Sequence, residues 1–145
     1  MRASFSLNRP YGAEQGRAFL EHLLPAAGDS MVQVAHLASS GPGYDDPKAD
    51  AVMDVLTEAM AKRDPRTRNL WFDLTSNVNP GNPPARIARL IDIIRRIGLK
   101  RVLYGTDAAL GDNLRPRESW AEIAGLALSK KEIETIAKNR APYLR

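Results

Sequence analysis

Few side chains in this sequence can do chemistry, and two of them stand at the ends of short apolar segments. The chain has two histidines, His22 and His36, and no cysteine. His36 lies at the end of the apolar segment 31–37, and Asp107 directly follows the apolar segment 101–106. A neutral imidazole and a carboxylate are donors for a catalytic divalent metal ion, and a carboxylate can also take a proton from a metal-activated water. His36 and Asp107 are therefore the candidate metal-binding and catalytic residues.

Each candidate also has a structural interpretation that stays open at this point. A histidine at the end of an apolar strand is often a hydrogen-bonded packing residue, and an aspartate after a strand often caps the next helix. Asp73 either points into a polar interior or pairs with a neighbouring arginine, and we expect the ion pair. His22 has the setting of a surface residue on a helix. One loop could offer N–H groups or hydroxyls to a ligand, or could simply be a turn: Ser39, Ser40 and Gly41.

Three strands are predicted to position the candidates. Segments 31–37, 69–75 and 101–106 have β-branched or aromatic character, are bounded by turn formers, and follow one another at intervals of about 30 to 40 residues. Amphipathic patterns between and after them predict helices, which is the βα rhythm of a parallel sheet. The carboxyl ends of parallel strands meet at one edge. His36 and Asp107 are therefore expected to open into one shared site.

The predicted helices have recognisable ends. Pro25 and Gly28 stop a first helix that begins near Tyr11, and Pro47 suits the first turn of a second. The other signals are Asn82 as an N-cap, an apolar stripe from Ile87 to Ile97 ended by Gly98, and Ser129 with Glu132 at capping-box spacing.

Parallel sheets occur as open doubly wound sheets or as eight-stranded barrels, and both bind ligands at the carboxyl ends of their strands. No glycine-rich phosphate-binding motif follows any predicted strand, which disfavours the nucleotide-binding open sheet. Long polar loops after each strand favour a barrel.

Charge and composition exclude several function classes. The chain of 145 residues has a formal net charge of +4, but its basic residues are scattered, and only 6% of residues are aromatic. Basic residues at helix ends complement the helix dipole, so we expect no nucleic-acid interface. No apolar run has the length of a membrane span or a secretory signal, and the expected location is the cytoplasm.

Four stretches of the chain resemble the C-terminal part of the amidohydrolase-related metal-dependent hydrolases. They are Val32-Gln33-Val34-Ala35-His36-Leu37 with the glycine-containing loop after it, Asn69-Leu70-Trp71-Phe72-Asp73-Leu74, the segment from Arg96-Ile97-Gly98 to Tyr104-Gly105-Thr106-Asp107, and Ile133 to Leu144. These stretches are spread over residues 32–144, which is most of the chain. Where such proteins commonly have Gly-Gly soon after the histidine, this sequence has Ala38-Ser39-Ser40-Gly41.

The resemblance implies an α/β fold, with residues 1–145 forming the last three βα units of a (β/α)8 TIM barrel plus C-terminal helices. His36 then matches the sixth-strand histidine, segment 69–75 is the seventh strand, and Asp107 matches the eighth-strand aspartate. The implied cofactor is a divalent metal ion, most simply zinc. The family's His-x-His motif and its fifth-strand histidine have no counterpart in this sequence.

Two functions of different classes follow. The first is a metal-dependent hydrolase acting on a small-molecule carboxylate, lactone or amide substrate, with His36 and Asp107 as its remaining site residues. The second is a non-catalytic barrel module that associates with itself or with a complementing N-terminal half. For this second function, segments 31–37 and 101–106 are expected to be unpaired sheet edges.

Overall fold

A computed structural model describes residues 2–3, 11–39, 46–78, 81–108 and 114–144. These residues form an α/β structure with a four-stranded parallel sheet in the order β1-β2-β3-β4. The strands are β1 Arg2–Ala3, β2 Val32–Val34, β3 Leu70–Asp73 and β4 Val102–Leu103.

The three predicted strands are confirmed as adjacent and parallel, in the order in which they occur along the chain. The structure adds a fourth strand that the sequence did not predict, because Arg2 and Ala3 pair with Gln33 and Val34. This pairing also corrects the expectation that segment 31–37 is an unpaired edge. Sequential order is consistent with consecutive units of a barrel.

The helices connect and cover the strands. The first helical segment consists of α1 Ala13–Ala18, a π-helical turn Phe19–Leu23 and α2 Leu24–Ala26. The longer helices α3 Pro47–Ala61 and α4 Pro84–Ile97 follow β2 and β3, and α5 Pro116–Ala124 and α6 Lys130–Lys138 follow β4. Short 3-10 turns occupy Ala35–Ala38, Pro65–Thr67 and Leu99–Arg101. No helix in the described ranges is both long and apolar enough to cross a bilayer.

Local signals set most helix ends as predicted. Pro47 lies in the first turn of α3, Gly98 ends α4 with a φ of 87°, and Ser129 and Glu132 form a complete capping box on α6. The predicted cap at Asn82 was wrong, because the residue that precedes α4 is Pro83 and no side chain caps this helix. Pro84 at the first helical position has a φ already set for a helix and lacks one of the N–H groups that this end would otherwise leave unpaired.

The sheet has two unlike faces. Val34, Phe72 and Val102 lie in register across three strands and are fully buried, as are their neighbours Val32 and Leu70. Side chains alternate between faces along a strand, so Gln33, Trp71, Asp73 and Leu103 lie on the opposite face. The first face belongs to the hydrophobic core with α3 and α4. The second face carries the polar side chains that matter for the site.

Ion pairs join α3 to α4. Arg89 and Arg96 both contact Asp54, at 2.7 and 2.6 Å, and they hold the pKa of this carboxyl below its ordinary value against the opposing effect of burial. Arg86 is only 6% exposed and donates to Asp50 at 2.7 Å. These arginines therefore join α3 to α4.

Candidate functional site

His36 lies just beyond β2 in an unusual backbone conformation. Strand pairing stops at Val34, and the next residues form the short turn Ala35–Ala38. His36, Leu37 and Ala38 all have positive φ, at 52°, 48° and 62°. Non-glycine residues avoid this left-handed region at a cost of about 1 kcal/mol or more each. Contacts from outside the turn must therefore hold it.

Asp73, at the end of β3, supplies the main contact. Its Oδ1 accepts the backbone N–H of His36 at 2.9 Å and that of Thr75 at 3.2 Å, and its Oδ2 accepts Gln33 Nε2 at 2.7 Å. The residue is only 4% exposed. The expected ion pair with an arginine was wrong: within the described part of the chain no Lys or Arg pairs with this carboxylate, and N–H groups freed at the strand ends satisfy it instead.

Ser39 supplies a second contact with the His36 backbone. Its N–H and its hydroxyl both donate to the carbonyl oxygen of His36, at 2.9 and 2.7 Å. Ser39 is buried, so these groups are used inside the turn rather than offered to a ligand. Ser40 and Gly41, the other two residues considered in this loop, lie outside the described residues.

The structure brings the two candidate residues together at one end of the sheet. His36 Nε2 lies 3.9 Å from Asp107 Oδ2, and the two side chains are 15% and 41% exposed. Asp107 has a φ of 51°, so both residues leave their strands through a left-handed position. The other ring nitrogen, His36 Nδ1, is buried and has no hydrogen-bond partner among the described residues. His22, in contrast, is exposed on the first helical segment.

This pair fits one part of a metal site. Zinc–nitrogen and zinc–oxygen bonds of about 2.0–2.2 Å put two donors of a tetrahedral site about 3.4 Å apart. The 3.9 Å between His36 Nε2 and Asp107 Oδ2 exceeds this separation by about 0.5 Å, so a small movement of the half-exposed Asp107 side chain would bring both donors within reach of one ion. Catalytic zinc commonly takes three protein ligands, yet no group of three or more His, Cys, Asp or Glu side chains in the described ranges could hold an ion. A catalytic zinc ion at this pair would therefore need donors from outside these residues.

An open cleft of about 420 Å³ lies on the polar face of the sheet, between the strands and the C-terminal segment. Gln33, Asp73 and Thr75 line one side of it, and Tyr143 lies on the other. The Tyr143 hydroxyl donates to Gln33 Oε1. Asn139 fixes the same segment, because its Nδ2 donates to the carbonyl oxygens of Leu99 and Val102 at 2.6 and 2.7 Å.

No sequence motif predicted a role for Gln33 or Tyr143. The 110 positions between them place their contact beyond any local pattern. One signal was available for Gln33: it is a polar residue between Val32 and Val34, at the position of a strand that faces away from the apolar core.

The comparisons with known proteins identify no relative. No protein-family model matches the chain, and neither a curated protein nor a solved structure shows significant similarity to it.

Proposed function

We propose that this chain is part of a metal-dependent hydrolase of the amidohydrolase-related type, in which His36 and Asp107 hold a divalent ion, most simply zinc. The substrate is a small molecule with a carboxylate, lactone or amide group. The observation that carries the proposal is the distance of 3.9 Å between His36 Nε2 and Asp107 Oδ2, at the carboxyl end of sequentially ordered parallel strands.

The chain's own groups have distinct tasks in this proposal. A divalent ion, when bound, lowers the pKa of a water and polarises the substrate carbonyl. Asp107, which is 41% exposed, can reach both substrate and solvent and takes the proton from the attacking water. It then returns that proton to the leaving oxygen of a lactone or the leaving nitrogen of an amide as the bond to the carbonyl carbon breaks. His36 is mostly buried, so its ring presents Nε2 in one fixed direction.

The number of donors limits what the 145-residue chain does by itself. One imidazole and one carboxylate replace few of the waters around a hydrated ion, so the gain in free energy is small. We therefore expect weak zinc binding and no hydrolysis by the isolated chain until further donors are supplied.

Calorimetric titration with zinc tests this site. The wild-type chain should bind with an affinity weaker than micromolar, and His36→Ala and Asp107→Ala should each remove that binding. His22→Ala is the matched control, because it deletes the other, exposed imidazole and should change nothing. Zinc binding that survives both site substitutions would refute the site. A stoichiometric sub-micromolar site lost in Asp107→Ala would instead show that this chain holds a complete metal centre.

One observation favours a second function, assembly with a partner or with a second copy. In the described part of the chain, β4 pairs with β3 on one side and with no strand on the other. An edge strand can offer its backbone N–H and C=O groups to another strand, although on β4 the Val102 carbonyl oxygen already accepts from Asn139 Nδ2. Sedimentation velocity over a range of concentrations tests this function, which predicts metal-independent association. A chain that stays monomeric at every concentration would contradict self-association.

A further inference from the structure

We infer that Asp73 is the positioning residue for His36, and that Gln33 and Tyr143 hold Asp73 in place through a chain of hydrogen bonds. The importance of this series of hydrogen bonds for catalysis depends on the proposed function, whereas its effect on the conformation of His36 does not. The series of hydrogen bonds runs across the polar face of the sheet from the C-terminal segment to the end of β2.

The first link joins Asp73 to the backbone of His36. A left-handed turn of three non-glycine residues is unfavourable on its own, and it begins at His36. The N–H of His36 donates to Asp73 Oδ1 at 2.9 Å, which ties this turn to β3. The acceptor is a carboxylate, and such bonds are roughly twice as strong as those between neutral groups. Asp73 thus sets the direction in which the imidazole leaves the backbone.

The second link fixes Asp73 itself. An ionised carboxylate can only accept hydrogen bonds, so Gln33 must turn its Nε2 group toward Asp73 Oδ2, which it does at 2.7 Å. The Oε1 of Gln33 then points away and needs a donor. The Tyr143 hydroxyl is that donor. In this series of hydrogen bonds, Asp73, Gln33 and Tyr143 therefore each have the donor or acceptor role that the neighbouring group requires.

Asp73 does not act on a ligand directly. Both of its oxygens already accept hydrogen bonds, and the residue is only 4% exposed. The pair that faces solvent is His36 with Asp107, whose carboxylate is 41% exposed. Asp73 acts through His36, and its removal should disturb the position of the ring rather than remove a donor.

Asp73→Asn is the first test, with hydrogen exchange and NMR shifts of the His36 amide as the readout. The substitution keeps the shape of the side chain but removes its charge. The new Nδ2 group is a hydrogen-bond donor and would face Gln33 Nε2, which is also a donor. We expect the His36 amide to exchange about ten times faster and its resonance to shift. An exchange rate and a shift equal to those of the wild type would overturn the inference.

A matched pair of tyrosine variants tests the hydrogen bond between Tyr143 and Gln33. This test does not depend on whether Asp73→Asn folds. Tyr143→Phe removes only the hydroxyl that donates to Gln33, on a side chain that is 59% exposed. Tyr104→Phe removes a hydroxyl that donates to the Pro116 carbonyl instead. Tyr143→Phe should shift the His36 amide resonance and Tyr104→Phe should not. An unchanged resonance in Tyr143→Phe would refute the role of Tyr143.

Zinc titration of the same variants separates this inference from the proposed function. If the wild type binds no zinc while Asp73→Asn still moves the His36 amide, the hydrolase proposal fails and the positioning role stands. If zinc binds through His36 and Asp107, Asp73→Asn should weaken that binding several-fold. Unchanged zinc affinity together with an unchanged amide would refute the positioning role alone.

Discussion

The carboxyl ends of β3 and β4 touch where Gly105 faces Thr75, and this contact gives a sharp test of the site's packing. A Cβ added at Gly105 would lie 2.4 Å from Thr75 Oγ1. Non-bonded heavy atoms of this kind need about 3.5 Å, so Gly105→Ala requires a shift of about 1 Å. Thr75 is only 6% exposed, so its hydroxyl has little free space to move into. Overpacking of this kind costs about 1–3 kcal/mol.

Urea denaturation and thermal melting measure the effect. Gly105→Ala should lower the free energy of unfolding by about 1–3 kcal/mol, which is a fall in melting temperature of about 3–10 °C for a domain of this size. Thr75→Ala removes Oγ1, and the remaining Cβ would lie 3.7 Å from the new methyl group, an ordinary contact. The double variant should therefore be more stable than Gly105→Ala alone.

Two results would refute this reasoning. One is a Gly105→Ala variant within about 0.5 kcal/mol of the wild type, which is the range of a neutral surface change. The other is a double variant no more stable than the single one. Because Asp107 follows Gly105 by two residues, Gly105→Ala should also weaken any zinc binding that depends on Asp107.

Three further predictions concern the scaffold. Asp50→Asn leaves the buried Arg86 guanidinium without its carboxylate and should lower the free energy of unfolding in urea by about 3 kcal/mol, most of which a second substitution, Arg86→Met, should recover. Gly98 has a φ of 87° and a ψ of 122°, outside the regions that side chains favour, so Gly98→Ala should cost about 1 kcal/mol or more in the same assay. Hydrogen bonds from Arg95 and from the cap of α6 lower the pKa of Glu132 from 4.5 to about 2. This contribution to stability is present above pH 4.5 and is lost as the pH falls through about 2, so Glu132→Gln should flatten the stability profile in that window of acid denaturation.

The helices were predictable because their signals are local. Pro47, Gly98, and the pair Ser129 and Glu132 act within one turn of their own positions, and each is found where the pattern places it. The spacing of β2, β3 and β4 predicted that they are parallel, and their sequential order was predicted from the barrel interpretation, in which consecutive βα units place their strands side by side.

The elements that were missed depend on distant parts of the chain. Arg2 and Ala3 carry no alternation of apolar and polar residues, and only pairing with Gln33 and Val34 makes them a strand. A two-residue strand is too short for any periodicity to reveal it.

Asp73 shows that a buried carboxylate need not have a basic side chain as its partner. The residue lies between Phe72 and Leu74 in a strand, so an arginine partner was expected to compensate its burial. Three N–H groups stabilise its charge instead, and two of them come from residues that lie 37 and 40 positions away. Which backbone N–H groups a strand leaves unpaired depends on where its neighbours stop, and this is a property of the sheet.

The conformation of His36 is the clearest case of tertiary contacts overriding local preference. A sequence of His, Leu and Ala has no intrinsic tendency to enter the left-handed region, and the strand pattern of 31–37 predicted extended backbone through His36. Instead, Asp73 accepts the N–H of His36, and Ser39 donates twice to its carbonyl oxygen. Unfavourable backbone of this kind persists only where surrounding contacts impose it, and such positions cluster at functional sites. The contacts that impose it here turn the imidazole toward Asp107, so the same few residues explain both the strain and the proposed metal-binding pair.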